Sequence, residues 1–174
     1  MYKNEINKLL DNVYIQVKEG EYESALKTCD DLLTGNIEHK DDILRMRSQV
    51  HAYQNNIREA LIDREEIILC GVAKVQDYYF SSQYLLELGL YAKTVDVLSD
   101  GIDLCEKLDV LTYRTDMYLL RAYSYMHVKE YLLARSDCNK VEDDSEFLID
   151  NIGFITKNEL LNKISCLAKG SEAS

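Results

Sequence analysis

One small residue recurs in phase along this chain. Ala25, Ala60, Thr94 and Ala134 sit inside similar stretches: GEYESALKTCDDLL, NIREALIDREEIIL, GLYAKTVDVLSDGI and KEYLLARSDCNKV. The intervals between them are 35, 34 and 40 residues. Neighbouring helices approach closely only where a side chain is short, so a recurring small position marks a recurring close contact. A period near 34 residues is that of stacked helical hairpins, none of which can bury its apolar face alone.

Residues 43–71 (ILRMRSQVHAYQNNIREALIDREEIILCG) show the unit most fully. In their second half Ile57, Ala60, Leu61, Arg64, Ile67 and Ile68 fall at i, i+3, i+4, i+7, i+10 and i+11, one face of a 3.6-residue helix. In the first half Leu44, Ser48 and His51 form one stripe, with Met46, Val50 and Tyr53 beside it. Gln54, Asn55 and Asn56 separate the halves, and Asn tolerates the left-handed backbone that such a turn needs.

Further residues keep the same phase. Gly20 and Gly89 stand at the turns, with Tyr22 and Tyr91 two residues later. Tyr131 and Ile57 are their equivalents in the other two units. Arg47 and Asp63 are sixteen residues apart, as are Arg121 and Asp137. On these residues the chain, from about 2 to 141, resembles the tetratricopeptide repeat family. It departs from that pattern in having no proline, no tryptophan, and Thr94 at a position usually held by alanine. The resemblance implies an all-α, right-handed superhelical solenoid of about four helical hairpins with a C-terminal capping helix. It also implies that Arg47–Asp63 and Arg121–Asp137 are ion pairs within their units.

The expected units are 2–35, 40–71, 72–106 and 112–142 of a single domain, followed by a capping helix over 151–169 and a frayed tail over 170–174. The six additional residues between the third and fourth units lengthen a helix or bend the superhelix. Thr156 and Glu159 have capping-box spacing, a possible start for the last helix. Leu160, Leu161, Ile164 and Leu167 would form its covered face. Lys157, Asn158, Asn162 and Lys163 would form its polar back.

Charge and length exclude several roles. Twenty Lys and Arg against 31 Asp and Glu leave a net charge of −11. A phosphate backbone is repelled by that balance, so no nucleic-acid partner is expected. No stretch reaches the about 18 apolar residues of a membrane span. The opening MYKNEINKLL lacks the apolar centre of a secretory signal. The expectation is a cytoplasmic protein with no membrane partner. Five scattered cysteines without a C-x-x-C read as free thiols, with Cys29 and Cys138 in the core.

No catalytic constellation is evident. The chain has no phosphate-cradling glycine loop, no nucleophile elbow and no H-E-x-x-H. Its paired acids are adjacent in sequence, and neighbours on a helix point about 100° apart. The expectation is a non-enzyme without cofactor or metal.

In the family, the first helix of each unit lines a concave groove. Carried over, the groove positions are Arg45, Gln49 and Tyr53 in the second unit, and Tyr79, Gln83 and Leu86 in the third. The fourth contributes Leu119, Tyr123, Met126 and His127, and the first Tyr14 and Lys18. Either this set holds a peptide or helix of a basic or neutral partner protein, or several of the tyrosines pack between units. Co-chaperones of the family grip a heat-shock protein's carboxylate with a lysine and an asparagine four residues apart. Leu10 and Tyr14, or Asp11 and Ile15, stand there instead, so no such carboxylate clamp is expected. Two functions stay open: a protein-binding adaptor, or a dedicated partner such as a toxin-immunity protein or a secretion-type chaperone.

Overall fold

Each helical hairpin turns at one left-handed residue: Gly20 (φ +79°), Asn55 (+61°), Gly89 (+70°) and Lys129 (+67°). Each stands five residues before Ala25, Ala60, Thr94 or Ala134. The hydrogen bonds repeat with them. Glu21, Asn56, Leu90 and Glu130 donate their N–H to the carbonyls of Gln16, His51, Leu85 and Tyr125, all at 2.8–2.9 Å. The small residues donate at 3.0 Å to the carbonyls of Glu21, Asn56, Leu90 and Glu130. A six-residue bond closing over a left-handed residue is the Schellman ending of a helix. One turn geometry is therefore used four times, and it sets the phase seen in the sequence.

The computed structural model describes residues 3–35, 39–149 and 152–172. Eight helices form the hairpins: α1 (Lys3–Lys18), α2 (Tyr22–Gly35), α3 (Lys40–Tyr53), α4 (Ile57–Leu69), α5 (Val75–Glu87), α6 (Tyr91–Leu108), α7 (Arg114–His127) and α8 (Tyr131–Cys138). Two short strands follow, β1 (Glu146–Ile149) and β2 (Gly153–Thr156), and then α9 (Lys157–Glu172). The chain groups into two compact units, Met1–Asp77 and Tyr78–Ser174. No helix among the described residues is long and apolar enough to cross a membrane.

In the first unit, Val13, Val17, Ala25, Cys29, Leu32, Ile43 and Val50 form a buried cluster, with Leu9, Leu10, Tyr22, Leu26, Leu33 and Met46 packed on it. Arg47 grips Asp63 through Nε and Nη2 at 3.0 and 2.6 Å and reaches Asp30 at 2.7 Å. In the second unit Arg121 grips Asp137 the same way, at 2.7 and 2.9 Å. Both pairs hold the two helices of one hairpin together, as the resemblance implies.

The additional residues of the third repeat lengthen α6, which runs 18 residues against 14 for α2 and 13 for α4. Gly101 lies inside α6, where a Cβ would come within 2.7 Å of the Tyr78 Cβ. The link to α7 carries Tyr113 at φ +65°. Its ring stacks on Tyr79 at 4.7 Å and meets Phe80 edge-on at 6.5 Å. That places Tyr79 and Phe80 of α5 against the entry of α7.

The C-terminus corrects the expected capping helix. Residues 153–156 are a strand, Asn151 lies outside the described residues, and the helix begins at Lys157. The box forms where its spacing put it: Thr156 N donates to Glu159 Oε2 at 2.9 Å, and Glu159 N donates to Thr156 Oγ1 at 3.2 Å. β1 and β2 pair antiparallel, Phe147 opposite Ile155 and Leu148 opposite Phe154. Lys157 is not on the polar back of α9; its buried ammonium donates to the Val141 carbonyl at 2.9 Å and Asp143 at 2.7 Å. Of the expected tail, 170–172 continue α9, and 173–174 lie outside the described residues.

Lys129 adopts the turn conformation at a cost that glycine does not incur, since a Cβ in the left-handed region costs about 1–2 kcal/mol. Lys129→Gly should stabilise the chain by up to about 1 kcal/mol, part being lost to the freer unfolded state. Gly89→Ala should destabilise it by a similar amount. Urea denaturation of the two variants measures both.

Candidate functional site

The expected groove residues separate into two sets. Gln49 and Tyr53 on α3 are exposed, Tyr53 by 55%, and Tyr14 and Ile15 on α1 are exposed beside Lys18. α1 and α3 are packed side by side. The Lys18 ammonium sits 4.6 Å from the centre of the Tyr14 ring. These are accessible aromatic, amide and cationic groups on two adjacent helices of one compact unit.

Arg45 is placed differently from that expectation. It is buried and holds carboxylates rather than facing solvent. Its Nε and Nη2 donate to Asp77 at 2.9–3.1 Å, and its Nη1 to Asp41 and Asp42 at 2.6 and 2.9 Å. Asp77 is 0% exposed and also accepts from Arg64 Nη1 at 2.6 Å and from the Lys74 amide at 2.8 Å. Arg64 Nε continues to Ser48 Oγ at 3.2 Å, and that hydroxyl donates to the Ala60 carbonyl at 2.8 Å. One buried carboxylate thus joins α3, α4 and the first turn of α5. Burial alone would push the Asp77 carboxyl up. The hydrogen bonds from Arg45 and Lys74, with the charges of Arg45 and Arg64, outweigh it and hold it below its ordinary value. Asp77 was missed in the sequence. Its signal was Arg64 on the covered stripe of α4, a charge that cannot be buried alone.

In the second unit most of the expected groove residues are covered. Gln83, Leu86, Leu119, Tyr123 and Met126 are buried, and Tyr79 is half-buried. β1 packs against α7. The Phe147 ring meets Tyr123 edge-on at 6.3 Å, and Gln83 Nε2 donates to the Leu148 carbonyl at 2.8 Å. The chain's own hairpin therefore lies on the face that the resemblance assigns to a ligand. His127 remains exposed, and its ring lies flat on Tyr91 at 4.0 Å with 5° between planes. Partial burial, with the Lys163 charge, lowers its pKa. His51 is lowered by burial too, although Asp63 opposes it.

The cysteines do not build a site. Cys29, Cys105 and Cys138 are buried, and burial pushes the Cys29 and Cys138 thiols up to about 12 and about 11. Such thiols are poor nucleophiles. Among the described residues no group of three or more His, Cys, Asp or Glu could hold a metal ion.

No family model matches the chain, and no curated protein matches it by sequence. Solved structures do. A tetratricopeptide repeat protein from Parabacteroides merdae superposes with a TM-score of 0.72 at 16% identity, over 95% of this chain and 60% of that one. This chain thus spans about 60% of that protein's length. A structure described as the MamA RS-1 ArsTM double mutant superposes with a TM-score of 0.66 at 13% identity, over 96% of this chain and 97% of that one. The fold is a tetratricopeptide-like array of helical hairpins.

Removing Asp77 would leave two buried guanidinium groups short of their counter-charge. Asp77→Ala should cost about 3–5 kcal/mol, measured by chemical denaturation. Acid acts in the same direction. A carboxyl held below its unfolded value of about 3.9 stabilises the fold above that pH, and this contribution is lost as pH falls through the folded value.

His51 and His127 open the acid limb earlier. Their folded pKa values lie below the unfolded value of about 6.5, so the unfolded chain takes up protons first and stability falls as pH drops below that point. Titration of His51 and His127 by NMR should give midpoints below 6.5; a midpoint above it would remove the assigned cause.

Proposed function

We propose that this chain is a non-enzymatic protein-interaction module that holds a peptide or helix of another protein against the first helices of its hairpins. The observation that carries this reading is the exposed set Tyr14, Lys18, Gln49 and Tyr53 on α1 and α3. Aromatic side chains supply large contact area at little conformational cost, and amides bond an extended backbone. A tetratricopeptide-like fold supports it as a scaffold that presents side chains in register. Arg45, Leu86, Leu119 and Met126 serve the folded core in this reading, and the accessible contact narrows to the first unit.

A net charge of −11 favours a second reading, in which the module shields one dedicated basic partner, as an immunity protein or a secretion-type chaperone would. The two differ in what dominates association. Steering by charge gives an on-rate that falls steeply with salt, whereas anchoring by tyrosine and glutamine changes little.

Copurification with mass spectrometry identifies the partner, and surface plasmon resonance then tests the face. Tyr53→Ala should weaken binding about tenfold, the loss typical of a central aromatic anchor. Leu69→Ala, on the exposed side of α4, should leave it within about twofold. Partner binding unchanged by Tyr53→Ala and Gln49→Ala together would remove this face from the contact.

A further inference from the structure

The β1–β2 hairpin is seated as a ligand would be. Phe147 and Ile149, 1% and 2% exposed, point inward, while Leu148 and its cross-strand neighbour Phe154 face out. Between the two inward side chains the Leu148 carbonyl accepts from Gln83 Nε2, 65 residues earlier in the chain. Phe147 rests edge-on against Tyr123. An apolar anchor, a backbone carbonyl bonded by a side-chain amide, and a second apolar anchor two residues on are how an extended peptide is held in a side-chain groove.

The fit is incomplete at one atom. Gln83 is 3% exposed, and its Nε2 bonds both Leu148 O and, at 3.1 Å, Tyr79 Oη. Its Oε1 is buried and has no hydrogen-bond partner among the described residues. A side-chain amide can pair with a strand as backbone does, giving to a carbonyl and taking from an N–H. The two strands supply the carbonyl and, among the described residues, no donor for the acceptor. A buried acceptor without a donor is costly, so an extended segment that also offers an N–H there would be held more completely.

From these observations we infer that the face of α5 and α7 around Gln83 and Tyr123 is a binding site for an extended segment with apolar residues at alternate positions, and that the hairpin is its resident, displaceable occupant. The inference rests on the peptide-binding reading proposed above. It adds a second contact in the other compact unit and a reason for that contact to be closed at rest. A tethered occupant acts at an effective concentration on the order of millimolar, so an external segment binds weakly until the hairpin is released.

The test uses a fluorescein-labelled peptide of residues 144–150, DSEFLID, as the probe. In the full chain carrying Phe147→Ser and Ile149→Ser the seat is emptied. The peptide should bind this variant at least tenfold tighter than the unaltered chain by fluorescence anisotropy, and adding Gln83→Ala should abolish the gain. Equal affinity for the folded variant and the unaltered chain overturns the inference. If the variant does not fold, amide exchange on the unaltered chain decides. Peptide at about millimolar concentration should speed exchange in β1 and β2 at least threefold and leave α7 unchanged. Exchange unaffected by the peptide overturns the inference. Neither result bears on the α1 and α3 face, which the Tyr53→Ala measurement reads separately.

Discussion

A helical hairpin of this length cannot bury its own apolar face, and that constraint organises everything else. Each pair of helices leaves one stripe that another element must cover. In the first unit α2 and α3 cover one another around Cys29, Leu32, Ile43 and Val50. Close approach is possible because Ala25 and Ala60 are fully buried and small. Thr94 takes the same place in the third repeat by turning its hydroxyl onto the Leu90 carbonyl at 3.0 Å, within its own helix. A slightly larger, polar residue is thus accommodated without a donor left over.

Where a stripe carries charge, the same constraint acts more sharply. Arg64 lies on the covered face of α4 and Arg45 on that of α3. Two buried guanidinium groups need a shared counter-charge, and Asp77 supplies it from the first turn of α5. The pairing is directional as well as electrostatic, because Arg45 engages Asp77 through two nitrogens. It therefore fixes where the start of α5 can sit against α3 and α4. The Arg47–Asp63 and Arg121–Asp137 pairs work within one hairpin, whereas the Asp77 cluster ties α3 and α4 to the residues that follow them in the first unit.

At the C-terminus the face of α7 is covered by a strand rather than by a fifth hairpin. β1 can do this because a strand presents alternate side chains. Phe147 and Ile149 go inward, while Glu146 and Leu148 stay accessible. The backbone carbonyl that such a strand exposes at its edge is met by Gln83. Of the last helix only Leu160 and Ile164 of its four expected apolar residues are fully buried. The covering work is shared with the hairpin.

The sequence by itself determined whatever is local. The phase of the turns, the small central residues and the Thr156–Glu159 box depend on residues within one hairpin or one helix turn, so spacing encodes them directly; the two Arg–Asp pairs, equally local, came with the resemblance. Gln49 and Tyr53 came to the candidate site through the resemblance, whose groove positions carry over in register, and both are exposed on α3. Tertiary structure decided what is distant in the chain. Nothing near Arg45 in sequence says that Asp77, 32 residues on, will claim it, and nothing near Gln83 says that Leu148 will occupy its amide. The strand at 146–149 was unreadable because four residues carry too short a period to separate from a loop. Its conformation is set by the apolar face it covers. Periodicity tells a chain which faces must be buried; only packing chooses what buries them.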